Sequence, residues 1–140
     1  MYKVREITLP ARQVGRGKRI ICGKDAYDVL KDMGELGVET MQVLCLDTKS
    51  KVVDRQMVHI GSVDECSVSL ACLFRPVVVS GCVRCLVAHN HPSGECMPSR
   101  ADYKITKQMD KGCKLLDLSL VDHIIVGSDC FWSAVEGGAL

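Results

Sequence analysis

Residues 83–94 of the chain carry the sequence VRCLVAHNHPSG, and residues 99–102 carry SRAD. The apolar run 83–88 predicts a short buried strand, and two histidines separated by one residue follow it. Side chains two positions apart on a strand point to the same face of the sheet, so His89 and His91 can converge on one ion there. A proline and a glycine then indicate a turn before the next element.

The segment after this turn predicts the start of a helix. Ser99 and Asp102 have the spacing of an N-cap serine and the acid that completes a capping box. Such a pair is usually a helix cap alone, and a single histidine is usually a core or surface residue. Together, however, His89, His91 and Asp102 supply the three ligands of a catalytic zinc site, which leaves its fourth position to water. The pattern therefore predicts a metal site, with a loop of incidental polar residues as the alternative.

The spacing of these residues resembles that of a known family. His89-x-His91, seven residues, Ser99, two residues and Asp102 resemble the JAMM signature of the JAB/MPN metalloprotease superfamily, and His-Asn-His-Pro-Ser-Gly resembles its RadC branch. The apolar segments 39–47 and 118–127 resemble strands of the same domain. The resemblance implies an α/β fold: a three-layer JAB/MPN-like (cytidine-deaminase-like) domain whose mixed β-sheet is flanked by helices.

The resemblance also implies a chemistry. His89, His91 and Asp102 would bind Zn²⁺, Glu39 would be the general acid/base, and Ser99 would steady the oxyanion. The implied activity is that of a zinc-dependent hydrolase of the JAMM type, a metallopeptidase or isopeptidase with a peptide or protein substrate of unknown identity. From the residues alone, Glu39 is one of several glutamates and stands at the start of an apolar run.

Two features favour an alternative function, that of a DNA-associated, RadC-type repair accessory or binding module without peptidase activity. The first is the RadC resemblance itself, although residues 1–140 are predicted to form a single domain without the helix-hairpin-helix region of longer RadC proteins. The second is the segment 1–19, which contains six Lys or Arg residues and one acid. A solvated linker is the commoner explanation for such a segment, so a nucleic-acid partner is left open but not favoured.

Other enzyme classes fit less well. HNH nucleases disperse their named residues over a longer element, whereas here the three letters are adjacent. Zinc deaminases need His-x-Glu followed by Pro-Cys-x-x-Cys, and the chain contains neither pattern. No apolar run approaches the roughly 20 residues that cross a bilayer, so we expect a cytoplasmic protein with no membrane partner. The oligomeric state is left open, with a dimer among the options.

Nine cysteines are scattered along the chain, mostly inside apolar segments. Cysteine in such a segment behaves as a small hydrophobic residue. The odd count and the expected cytoplasmic location predict reduced thiols rather than a disulfide framework. Cys82-x-x-Cys85 stands alone, without the second pair that a zinc ribbon requires.

Hydrophobic periodicity and turn residues predict the remaining elements. The predicted strands lie near residues 3–8, 39–47, 52–60, 83–89, 119–126 and 130–135, and the predicted helices near 24–36, 69–79 and 99–116. His123 falls in an apolar strand, where a packed core histidine and a site-lining residue that supports the metal ligands are equally open.

Overall fold

A computed structural model gives the structure of the protein and describes residues 15–64 and 66–140. The α-helices of these residues are α1 (Gly23–Leu30), α2 (Leu70–Val79) and α3 (Arg100–Leu115). The strands are β1 (Thr40–Leu46), β2 (Val52–Ile60), β3 (Arg84–Asn90), β4 (Ser119–Val126) and β5 (Phe131–Ser133). The strand predicted near residues 3–8 lies outside the described residues.

The strands form one mixed sheet in the order β2-β1-β3-β4-β5. β3 and β4 run parallel, with α3 as their crossover, and the other neighbouring pairs are antiparallel. The interior strand β1 is buried along its whole length, as expected of a strand covered on both faces. The predicted α/β class with a mixed sheet flanked by helices is confirmed.

Alternate residues of the central strands enter two separate cores. Met41 and Val87 point to the face covered by α2 and α3, and this core also contains Leu73 and Met109. Leu44, Leu86 and Ile124 point to the opposite face, where α1 packs against them. The domain therefore has three layers. Successive residues of β3 face opposite helical layers. None of the helices in the described part of the chain is long and apolar enough to cross a membrane.

Two predicted elements differ from the structure. The helix predicted over 24–36 ends at Leu30 and continues as a 3₁₀ helix, Lys31–Glu35. Two contacts explain the change: the buried Arg55 side chain donates a hydrogen bond to the carbonyl oxygen of Val29, and Gly34 packs against the backbone of Gly127. The last strand is shorter than the predicted 130–135 because the chain turns after Ser133, whose carbonyl accepts a hydrogen bond from the Gly137 amide.

The other predictions that fall on described residues are confirmed, with ends that move by one residue. β1 and α3, which carry the candidate site residues, lie within the predicted ranges 39–47 and 99–116. α2 also forms as predicted despite Pro76 inside it, and the side chain of Ser69 caps its N-terminus.

Candidate metal centre

The candidate residues come from three elements that meet at one edge of the sheet. His89 lies at the C-terminal end of β3, His91 directly follows that strand, and Glu39 directly precedes β1. Met41 pairs with His89 across the two strands, which brings Glu39 beside the histidine pair. One potential ligand atom of each of Glu39, His89 and His91 lies within 4.8 Å of the others. Within residues 15–64 and 66–140, this is the one group of histidine, cysteine and acidic side chains with the spacing of a metal site.

Asp102, at the start of α3, completes the cluster. The Nε2 atoms of His89 and His91 are 3.2 Å apart, and they lie 3.1 and 3.3 Å from Oδ1 and Oδ2 of Asp102, respectively. Zinc bound tetrahedrally at about 2.0–2.1 Å holds its ligand atoms roughly 3.3 Å apart. Each histidine thus lies near a different oxygen of Asp102, and the two ring nitrogens are about as far apart as two ligands of one zinc ion.

A hydrogen bond of His91 outside the cluster indicates which of its two ring nitrogens carries a proton. Nδ1 of His91 lies 3.0 Å from the carbonyl oxygen of Glu95, and because a carbonyl only accepts, Nδ1 must carry the proton. Nε2 of His91 therefore faces His89 and Asp102, and either a second proton donated to the carboxylate or a metal ion would occupy its lone pair. The Glu95 side chain is exposed, and only its backbone carbonyl contacts His91.

The electrostatics of the cluster favour a cation at its centre. A hydrogen bond to the Asp102 carboxylate raises the pKa of His91 above its usual value. Burial by itself would raise the pKa of Asp102, but its hydrogen bonds with His89 and His91 outweigh burial and hold the pKa far below the usual range. Two ring nitrogens and a carboxylate that face one another need a positive charge between them, supplied by a proton or by a metal ion.

Ser99 and Asp102 form the predicted helix cap as well. The amide of Ser99 donates to Oδ2 of Asp102 at 2.7 Å, and the amide of Asp102 donates to Oγ of Ser99 at 3.2 Å. Ser99 is exposed, whereas Asp102 is 2 % exposed. Asp102 is thus both a member of the capping box and a candidate ligand, and the capping box fixes the orientation of its carboxylate toward the histidines.

Asn90, between the two histidines, contributes to the site from the opposite face of β3. Its Oδ1 accepts hydrogen bonds from the amide and the hydroxyl of Thr40, both at 2.8 Å, and its Nδ2 donates to the carbonyl of Val38 at 3.0 Å. These bonds hold the backbone on both sides of Glu39. The sequence pattern did not predict this role because the partner segment lies on another strand.

His123 is fully buried on β4, directly behind His89. Its Nε2 lies 2.8 Å from Nδ1 of His89, and its Nδ1 lies 2.6 Å from Oγ1 of Thr106. Burial lowers the pKa of His123 well below its usual value, which disfavours the charged ring. Both predicted descriptions of His123 hold, since it is a packed core residue and it contacts a candidate ligand. Thr106 was missed, although its position four residues after Asp102 places it on the same face of α3.

The loop between His91 and Ser99 is bound to the turn between β4 and β5. Cys96 and Cys130 form a disulfide, and the amide of Ser128 donates to the carbonyl of Gly94 at 2.9 Å. The prediction that all nine cysteines are reduced is therefore wrong for this pair, because folding brings together two residues that are distant in the chain. The other seven are free, and the Cys82-x-x-Cys85 pair is buried without a disulfide.

Comparison with known proteins identifies similar chains. The family model described as "RadC-like JAB domain" matches residues 20–139. A UPF0758 protein of Roseiflexus castenholzii is 30% identical over 138 residues, which cover 91% of this chain and 59% of the relative. A UPF0758 protein of Methanosarcina barkeri is 36% identical over 123 residues, covering 86% and 54%. A third, of Chloroflexus aurantiacus, is 37% identical over 110 residues, covering 79% and 48%. The chain thus spans about half the length of the curated relatives it matches.

Proposed function

The chain belongs to the RadC-like JAB domain family, and we propose that it is a zinc-dependent hydrolase of the JAMM type that cleaves amide bonds in peptides or proteins. The observation that carries the proposal is the convergence of His89 and His91, whose Nε2 atoms are 3.2 Å apart, on the Asp102 carboxylate, with Glu39 beside them. The UPF0758 names of the relatives state no function, so the proposal rests on the site.

Two imidazoles and one carboxylate are a ligand set that suits zinc. When bound, zinc supplies a Lewis acid that polarises a carbonyl group and acidifies a water molecule. A contact outside the cluster orients each of the three side chains that would hold the ion: the capping box for Asp102, the Glu95 carbonyl for His91 and His123 for His89. This preorganisation supports a permanent metal site rather than an incidental cluster.

Glu39 is the residue that we propose moves the proton. Its carboxylate lies within 4.8 Å of the ligand atoms of both histidines, and its side chain is partly exposed, so a water molecule can reach it. It would accept a proton from the attacking water and return it to the leaving amine. Because Asn90 holds the backbone on both sides of Glu39, the carboxylate has a defined position for this transfer.

Ser99 is proposed to stabilise the oxyanion. Its Oγ accepts a hydrogen bond from the Asp102 amide, which leaves the hydroxyl hydrogen to be donated. The residue is exposed at the rim of the cluster, where the carbonyl oxygen of a bound substrate could receive that hydrogen bond.

The exposure of the site supports a peptide or protein substrate. His89 and Asp102 are buried, whereas His91 and Glu39 are partly exposed and Ser99 is exposed, so the cluster opens on one side to the surface. An extended peptide segment or a lysine isopeptide bond on a protein surface can approach such a site. A cytoplasmic location is part of this proposal.

The test is hydrolysis of fluorogenic peptides and lysine-linked isopeptides by the zinc-loaded protein and by Glu39→Gln. Loss of a general acid/base lowers kcat by about 10²- to 10⁴-fold. Glu35→Gln is the matched control, because Glu35 is exposed at the end of the 3₁₀ helix and should keep the parental rate. Turnover that survives in Glu39→Gln, or no turnover on any amide substrate, would contradict the proposal.

The DNA-associated alternative stays a sequence-based prediction. The basic segment that motivates it comprises residues 1–19, and the structure describes only residues 15–19 of this segment. Its signature would be duplex binding that weakens steeply as salt rises.

A further inference from the structure

A chain of buried hydrogen bonds runs from helix α3 to the candidate metal ligand His89. Oγ1 of Thr106 lies 2.6 Å from the carbonyl oxygen of Asp102 and 2.6 Å from Nδ1 of His123. Nε2 of His123 lies 2.8 Å from Nδ1 of His89. Thr106, His123 and His89 are each 0 % exposed, so water does not compete for these contacts.

The donors and acceptors in this chain can be assigned from one end. A carbonyl oxygen only accepts, so a contact of 2.6 Å requires the single hydroxyl hydrogen of Thr106 to point at the Asp102 carbonyl. Oγ1 is then left with lone pairs toward His123. Nδ1 of His123 must therefore carry a proton and donate it to Thr106.

The proton positions of the His123 ring follow from its two contacts. Its two nitrogens are both used, one by the Thr106 hydroxyl and one by the His89 ring, so neither contacts a carboxylate that would stabilise a second proton. With the proton on Nδ1, Nε2 of His123 can only accept. The hydrogen bond to His89 then requires a proton on Nδ1 of His89. Nε2 faces His91 and Asp102, and any second proton of the ring lies there, in the position that a metal ion would take.

We propose that Thr106 is a positioning residue of the metal centre: acting through His123, it keeps a proton on Nδ1 of His89 so that Nε2 is presented as a metal ligand. This inference rests on the proposed function. A ligating histidine commonly has its tautomer set by the partner of its other ring nitrogen. Here the partner is a second neutral histidine, and a threonine hydroxyl fixes its orientation.

The chain matters because Asp102 alone favours the opposite arrangement. Oδ1 of Asp102 lies 3.1 Å from Nε2 of His89, so in the absence of Thr106 the His89 ring could place its proton on Nε2 and donate it to the carboxylate. That tautomer satisfies Asp102 but has no lone pair for a metal. Without the Thr106 hydroxyl, the proton of His123 can therefore move from Nδ1 to Nε2. The proton of His89 can then also move from Nδ1 to Nε2.

The experiment is ¹⁵N–¹H correlation NMR of the imidazole nitrogens in the metal-free protein at one fixed pH, for the parent, Thr106→Val and Thr106→Ser. Valine keeps the shape of threonine without its hydroxyl, and serine restores the hydroxyl. In the parent and in Thr106→Ser we expect protons on Nδ1 of His123 and of His89. In Thr106→Val we expect the proton of His123 on Nε2 instead of Nδ1. Ser80→Ala, which removes a partly buried hydroxyl that donates to the Val77 carbonyl at the end of α2, is the control and should leave both rings unchanged.

Zinc affinity, measured by competition with a chelator, is the second readout. Loss of the hydroxyl is expected to weaken the Kd by about 10- to 100-fold in Thr106→Val, and Thr106→Ser should recover it. A parental His123 protonated on Nε2 alone, or a Thr106→Val variant with parental tautomers, would overturn the inference. Because the tautomers are read without metal or substrate, these results are distinct from a failure of the protein to bind zinc or to hydrolyse amides.

Discussion

At the scale of single residues, the centre depends on side chains that serve two neighbours. Asp102 caps α3 through Oδ2 and lies against both histidines, so the bond that starts the helix also aims the carboxylate. Asn90 lies between two candidate ligands in sequence but holds Glu39 in space. In both cases local structure and site geometry share the same atoms. A substitution there can be designed to separate metal binding from catalysis.

Asn90→Ala makes that separation. It removes the hydrogen bonds to Val38 and Thr40 and leaves the ligands His89, His91 and Asp102 in place. Because a misplaced catalytic group can cost about 10²-fold in rate, we expect kcat on an amide substrate to fall by about 10- to 100-fold. The zinc Kd should stay within about threefold. Steady-state kinetics and chelator competition on the same preparation measure both quantities, and a variant that loses zinc in proportion to its activity would show that Asn90 does not act through Glu39.

At the scale of elements, the site is held by two neighbouring connections. The N-terminus of α3 supplies Asp102, and the loop before it lies against the β4–β5 turn. Gly94 in this loop has φ +88°, and a side chain there would meet Ser128, so glycine suits both the backbone conformation and the close contact. The Cys96–Cys130 disulfide closes the same contact covalently.

Reduction of this disulfide should lower the free energy of unfolding. The two cysteines are 34 residues apart. In the chain-entropy model, a disulfide that closes a loop of that length raises the free energy of unfolding by about 3–4 kcal/mol, because it restricts the unfolded chain. Urea unfolding of the parent with and without reductant measures the difference. The double variant Cys96→Ser/Cys130→Ser should unfold like the reduced parent, and reductant should not affect it further. Equal stability of the oxidised and reduced parent would show that the bond does not constrain the fold.

The same scale explains which predictions from sequence succeeded. The parity of β3 was enough to place His89 and His91 on one face, and the spacing of Ser99 and Asp102 was enough to start α3. The 3₁₀ helix after Leu30 was not foreseen, because Arg55 on β2 and Gly127 after β4 cause it. The disulfide, the Asn90 contacts and the Thr106–His123 chain were likewise missed. Each joins segments that only the folded sheet brings together.

At the scale of the whole molecule, the three-layer architecture explains why the centre lies where it does. The parallel pair β3–β4 ends at one edge of the sheet, and α3, the crossover between these strands, begins there. β1 runs antiparallel to β3 and therefore starts at the same edge, with Glu39 just before it. His89, His123, Asp102 and Glu39 thus converge from four elements without any long loop. We expect the domain to present this edge to its substrate.

The most direct test of the account is the zinc content per chain by native mass spectrometry, after zinc loading and removal of the excess. The parent is predicted to hold one zinc ion, and Asp102→Asn is predicted to hold little, because a neutral amide is a far weaker ligand than a carboxylate. Asp110→Asn, on the same helix and paired with Lys114 at the surface, is the control and should hold one. A parent that takes up no zinc, or Asp102→Asn with a full complement, would contradict the metal centre on which the proposed function depends.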